Sequence, residues 1–253
     1  MVIDSHIHLR NKENLAEELP DLIEKQRSAC IDHAVLIFNP PEMFLWEKNK
    51  DLISEYQESL SIACAVDFRD EDSIDKVTMD VEEYGVKSLK IHPRLQGIQK
   101  EEYSQLVLLV QRAKELGIPI IVDGFYWGKN IHAYDGIKCT AYIAERIEPH
   151  PVILAHMGGH RLLEAMLLAK EQRNIFLEVS LTFNYFKGSS LIQDVVYAIK
   201  KIGPDRCLYG SDYPDFEMDY SLSEFEKLLY LNSFSEADKE NILYKVSGKL
   251  FQV

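Results

Sequence analysis

His6 and His8 stand two residues apart in the apolar opening stretch, residues 2–9. On a β-strand successive side chains alternate between faces, so both imidazoles point the same way, with Cα atoms roughly 6.5 Å apart. At that spacing two imidazoles can converge on one ion, and imidazole is a common ligand for zinc and related divalent metals. The plainer alternative is a pair of half-buried polar residues. Other side chains able to do chemistry follow at intervals: Lys90, His92 and Arg94, then Asp123, His156 and Asp212. Each sits at or just beyond the end of a short apolar run.

Those runs alternate with helix-period segments along the chain. The opening strand precedes a helix expected over 20–29, with Pro20 in its first turn. A strand over 33–38 stops at Pro40 and Pro41, a helix covers 43–58, and a strand covers 61–68. Ile74, Val77, Val81 and Tyr84 mark one helix face, ending where Gly85 suits a left-handed cap. A strand over 86–92 leads to a helix marked by Tyr103, Leu106, Val107, Val110 and Ala113, ending at Gly117. A strand begins at 120–122, and a shorter helix is expected over 141–147. Strands at 152–155, 175–179 and from 207 to 209 are separated by a helix over 161–172 and one marked by Leu191, Ile192, Val195, Val196 and Ile199. Residues 221–224 and 235–238 read as capping boxes opening the last two helices.

Eight strand–helix units without a linker or repeat predict one domain over 1–253, an α/β fold in the form of a (β/α)8 TIM barrel with C-terminal helices. The runner-up, an open doubly wound sheet, lacks a Gly-x-Gly-x-x-Gly turn after an early strand. In such a barrel chemistry sits at the C-terminal ends of the strands. His6, His8, Lys90, His92, Arg94, Asp123, His156 and Asp212 all fall there, and that coincidence strengthens a ligand role for the first two.

The formal charge of −13 and pI of about 5.1 argue against sequence-independent nucleic-acid binding, which needs clustered Lys and Arg. Cys30, Cys64, Cys139 and Cys207 are widely spread, which fits reduced thiols in a cytoplasmic protein. No signal-peptide pattern opens the chain and no apolar run approaches the ~20 residues that span a bilayer, so no membrane partner is expected.

The segments Ile3-Asp4-Ser5-His6-Ile7-His8, Leu89-Lys90-Ile91-His92-Pro93-Arg94, Leu154-Ala155-His156-Met157-Gly158-Gly159 and Tyr209-Gly210-Ser211-Asp212-Tyr213-Pro214 resemble, in order, those of the amidohydrolase superfamily, in its amidohydrolase-2 branch of metal-dependent hydrolases and related decarboxylases. The resemblance implies a distorted barrel and one catalytic divalent metal, usually zinc. It implies His6 and His8 as ligands, and Asp212 as a ligand and the general base toward water. It makes His156 a further ligand or the group holding that water. One position departs. The family usually has histidine at the end of strand five, where this chain has Asp123. Aspartate can bind zinc through oxygen, so Asp123 either substitutes as a ligand or leaves the site short of one. Lactonases of the pyrone-dicarboxylate type, which work without a required metal, keep the strand-one histidines and the strand-eight aspartate, so a metal-independent lactonase stays open.

Lys90, His92 and Arg94 share parity on strand four. Arg94 or His92 near the mouth can bind a substrate carboxylate, while Lys90 can instead be structural, paired with Glu178 or Asp4. Other branches of the superfamily carry a carbamylated lysine on the same strand, but the match around His92-Pro93 is to the mononuclear branch. Tyr126 and Trp127 can wall a substrate pocket or simply pack their loop. His33, His132, His150 and His160 read as structural or solvent-exposed, and Gly158-Gly159 as a turn or an anion cradle. The expectation is a metal-dependent hydrolase acting on an amide, lactone or ester carbonyl of a small acidic molecule. The alternatives are a decarboxylase of the same branch or a binding barrel without catalysis. A homo-oligomer is a further possibility, with no stripe marking its contact face.

Overall fold

In the computed structural model, which describes residues 1–129 and 131–253, eight parallel strands follow one another around a barrel in sequence order. They are β1 (Ile3–Ile7), β2 (His33–Phe38), β3 (Leu60–Ala65), β4 (Ser88–Ile91), β5 (Ile120–Val122), β6 (Val152–Leu154), β7 (Ile175–Glu178) and β8 (Cys207–Leu208). β8 returns to β1 through Ser5 N–H donating to Tyr209 O (3.0 Å), Asp212 N–H to His6 O (2.9 Å) and His8 N–H to Tyr213 O (2.7 Å). Consecutive parallel strands need crossovers. These are α1 (Leu15–Ser28), α2 (Met43–Ser54), α3 (Ser73–Tyr84), α4 (Leu106–Glu115), α5 (Gly136–Ile147), α6 (Leu162–Glu171), and α7 (Thr182–Tyr185) with α8 (Leu191–Ile202). After β8 come α9 (Met218–Leu231), α10 (Glu236–Glu240) and α11 (Val246–Phe251).

Strand parity divides the core. Ala34, Leu36 and Phe38 of β2 face outward into the layer beneath the helices, with Leu89, Ile120, Val122, Leu154 and Leu177. Val35, Ile37, Ala63, Ile121, Ile153 and Leu208 form a separate inner cluster together with Val246, Leu250 and Phe251 of α11. The same inward parity carries Asp4, His6, Lys90 and Glu178, all buried.

Several expected boundaries move for physical reasons. α1 starts at Leu15 and contains Pro20, because Leu15, Leu19, Leu22 and Ile23 all bury and extend the apolar face upstream. The helix expected over 43–58 ends at Ser54. α5 begins at Gly136, where Asp135 accepts from Lys138 N–H (3.0 Å) as its N-cap. Residues 221–224 are not a cap: α9 has already begun at Met218, and buried Ser221 accepts from Asn184 Nδ2 (3.0 Å). Ser235 does open α10 with a capping box to Asp238, and Gly85 is left-handed at φ 67° after α3.

Candidate metal centre

His6 lies on β1 and His8 just beyond it, on the inner face of the barrel. His6 Nδ1 is 2.9 Å from Glu178 Oε2. That carboxylate also accepts from the Ser180 hydroxyl at 2.7 Å, the Ser180 backbone N–H at 2.5 Å and the His156 N–H at 3.4 Å. His8 Nδ1 is 2.9 Å from Ile37 O, which can only accept. Each ring therefore donates through Nδ1 and presents an Nε2 lone pair. Both Nε2 atoms face Asp212 Oδ1, at 3.5 Å from His6 and 3.7 Å from His8. Three acceptor atoms facing one another repel, and a cation among them relieves that repulsion. The chemistry of the donor set thus fits one divalent metal held by His6, His8 and Asp212. Burial holds both imidazoles in the neutral form a ligand needs, His8 down to about 4 and His6 well below its ordinary value. Burial also pushes the Asp212 carboxyl up to about 7.

Asp212 follows β8 in a left-handed conformation, φ 61°. His156 leaves β6 in the same way, φ 59°, and Met157, Gly158 and Gly159 continue at positive φ. That turn throws the His156 ring over His6, with centroids 4.6 Å apart. Gly158 and Gly159 thus serve a turn, and a Cβ on Gly158 would press Ala165 and Ile137 at 3.0 Å.

Asp123 stands outside the converging ligand atoms. Its Oδ2 lies 3.2 Å from His156 Nε2, 3.5 Å from His92 Nε2 and 4.0 Å from Lys90 Nζ. His156 Nδ1 meets the Ser180 hydroxyl at 2.9 Å and the Ser180 carbonyl at 3.2 Å. Burial opposes charge on that ring. The Asp123 hydrogen bond and the carboxylates of Asp212, Asp123 and Glu178 outweigh it, lifting His156 to about 9. The same contacts, led by His92, hold Asp123 far below the ordinary carboxylate range against the effect of its burial. In this geometry Asp123 pairs with His156 and is not part of the group formed by His6, His8 and Asp212. Gly136 makes room for it, since a Cβ there would sit 2.1 Å from Asp123 O.

A cavity of about 640 Å³ opens above these groups, lined by His6, His8, His156 and Asp212 with Lys90, His92, Arg94 and Asp123. Phe125, Trp127 and Tyr185 form an aromatic wall, with ring centroids 5.4 to 5.9 Å apart. Trp127 lines the cavity and Tyr126 does not. Its hydroxyl donates to Asp135 (2.7 Å) and accepts from Arg161 (2.8 Å), so it packs the loop. The alternative pairing of Lys90 with Glu178 or Asp4 is not the one found: Glu178 serves His6, and the carboxylate within 4.0 Å of Lys90 is Asp123. His33 bonds Ser61, His150 bonds Ile118 O and His160 meets the Tyr126 ring edge to face, all outside the cavity.

Glu178 and Ser180 were missed as site residues, although both share the inward parity of β7 with Phe176, the signal that singled out strands one and four. Phe125, beside the two aromatics singled out, and Tyr185, on the unforeseen α7, were missed as well.

A family model described as amidohydrolase matches residues 50–253. The chain belongs to the amidohydrolase family. The matched stretch begins after β1, so the ligand geometry of His6 and His8 stands on the structure alone. Solved structures similar to this amidohydrolase include three that share its fold. An amidohydrolase from Burkholderia multivorans with bound zinc is 14% identical, at TM-score 0.72, covering 100% of this chain and 99% of that one. A probable 2-pyrone-4,6-dicarboxylic acid hydrolase from Acinetobacter baumannii with citric acid bound is 14% identical, at TM-score 0.72 and the same coverage. A 5-carboxyvanillate decarboxylase from Sphingomonas paucimobilis is 11% identical, at TM-score 0.73, again covering 100% and 99%. No curated protein matches the chain. Among the described residues no helix is long and apolar enough to cross a membrane.

Proposed function

We propose that this amidohydrolase is a metal-dependent hydrolase that directs water to a carbonyl of a small acidic molecule, with zinc as the metal. The observation that carries the reading is the pair of Nε2 lone pairs on His6 and His8 turned onto Asp212 Oδ1, each ring fixed from behind by Glu178 or Ile37. A divalent metal bound there polarises a carbonyl and lowers the pKa of water toward ~7. The Asp212 carboxylate, beside both rings, is positioned to take a proton from the attacking water and pass it to the leaving group. His156 leans over His6 with its ring nitrogens engaged by Asp123 and Ser180, so it acts on a reacting oxygen through its charge rather than through a free N–H. Phe125, Trp127 and Tyr185 exclude water from one side and offer faces to an apolar or planar body. Arg94, exposed at the rim, draws an anionic substrate to the mouth of an otherwise acidic protein.

The first test is elemental analysis of protein purified without added metal or chelator, beside His6→Ala, His8→Ala and Asp212→Asn. One zinc per chain in the parent, lost in the variants, is the expected result. A parent that carries no metal and takes up none on reconstitution sinks the reading. The same cavity can equally seat a carboxylate that is itself lost. Assays on small carboxylic acids should therefore follow carbon dioxide release as well as ¹⁸O uptake from labelled water; carbon dioxide release without ¹⁸O uptake assigns a carboxy-lyase.

A further inference from the structure

Lys90 is, among the described residues, the one lysine or arginine lining the cavity that is buried, with its side chain 1% exposed, yet it faces the cavity. Among the described residues its ammonium has no hydrogen-bond acceptor within 3.5 Å, and its nearest carboxylate oxygen, Asp123 Oδ2, is 4.0 Å away. That oxygen is already engaged by His156 Nε2 at 3.2 Å. An ammonium carries three donors, and this one reaches the cavity on a buried stem with none of them filled by a protein acceptor, so it stands ready for an acceptor that enters there. The other cations differ. Arg10 is bound to Glu217 and Lys12 to Glu42. Arg94 is exposed, so water screens whatever it holds.

Resting on the hydrolase reading, we propose that Lys90 receives the carboxylate of the substrate at the floor of the cavity, so that the acid group lies beside the reacting carbon rather than at the rim. A charge-assisted hydrogen bond in a water-poor site is worth more than one at the surface. The substrates selected are therefore compact acids whose carboxylate sits within a bond or two of the group transformed, with an apolar or planar remainder against Phe125, Trp127 and Tyr185. A long acid with its carboxylate remote from the reacting carbon would leave the ammonium unfilled.

The test uses benzoate and its uncharged isostere benzamide as probes, titrated calorimetrically into the protein as purified and after chelator treatment. The expected result is that benzoate binds and benzamide binds on the order of tenfold to a hundredfold more weakly, the range for a hydrogen bond to a charged group. Lys90→Met should bring benzoate down to the benzamide level with metal content unchanged, and Arg94→Met should shift it by less than about threefold, as for an exposed charge. Lys90→Gln, which keeps much of the stem, replaces Lys90→Met if the latter does not fold. Benzoate binding that survives loss of Lys90, a larger loss with Arg94→Met, equal binding of the two probes, or no benzoate binding overturns the proposal. Lys90-dependent binding in a protein that holds no metal sinks the metal reading alone. Metal-replete protein with Lys90-independent binding sinks this proposal alone.

Discussion

At the residue scale the centre depends on groups that never touch a metal. Glu178 fixes the His6 tautomer and also collects the Ser180 hydroxyl, the Ser180 N–H and the His156 N–H. Replacing it with glutamine puts an amide nitrogen where one of those donors needs an acceptor, and the His6 ring loses its anchor. Removing such an outer partner typically costs 10–100-fold in metal affinity. Glu178→Gln is therefore expected to weaken zinc binding by about that factor in a chelator competition; affinity equal to the parent would mean that the His6 ring holds its direction without Glu178. The spacing of His6 and His8 is readable because a strand alternates with period two. The part played by Asp123 is not readable from type alone. Aspartate serves as ligand or as counter-ion, and the placement of His156 over the strand-five end is what pairs it with that ring. The left-handed turn from His156 to Gly159 makes that placement, and it is a tertiary feature that periodicity does not carry.

At the element scale the start of α5 joins the loop after β5 to the start of α6. Asp135 caps α5 through Lys138 N–H, and its carboxylate also accepts from the Tyr126 hydroxyl and from Arg161 Nη1 (3.0 Å). Burial raises this carboxyl, but those hydrogen bonds prevail and hold it at about 2. A folded pKa below the unfolded value of ~3.9 contributes stability that is complete above pH 4 and is lost as pH falls through 2. The contribution, discounted for partial exposure, is roughly 1–2 kcal/mol. Urea midpoints of the parent and of Asp135→Asn should differ at pH 6 and converge as pH approaches 2; a gap that stays constant with pH would assign the loss to the cap alone. Element order is legible because apolar runs and helix-period segments alternate so regularly, and β2 lies over the expected residues. The errors are at ends. Pro20 suits a first turn, but burial of Leu15 and Leu19 carries α1 upstream of it. The Ser-x-x-Glu spacing at 221–224 mimics a cap inside α9, because hydrogen bonding of Ser221 to Asn184 is invisible in the local sequence. α7 is too short to show a period.

For the whole molecule the barrel has two ends with different fillings. Toward the C-terminal ends of the strands the interior is polar and open to the cavity. Toward the other end the inner side chains Val35, Ile121, Ile153 and Leu208 form an apolar cluster that Val246, Leu250 and Phe251 of α11 complete. The last helix thus plugs the barrel, and Phe251, 1% exposed, is among its largest fully buried side chains. Gln252 Nε2 reaches Gly117 O at 3.3 Å, tying the end of the chain to the turn before β5. Truncating a buried phenylalanine to alanine removes its transfer free energy and leaves a cavity, typically about 3–5 kcal/mol together. Phe251→Ala should lower the unfolding free energy by that amount in a urea titration. Zinc per folded chain should stay at the parent value, because His6, His8 and Asp212 take their positions from β1, from the turn after β8 and from Glu178 and Ile37 behind the rings. A loss under about 1 kcal/mol, the range of surface substitutions, would show that the plug is not needed to close that end. Loss of zinc from the folded variant would show instead that the packed floor holds the strand ends in register.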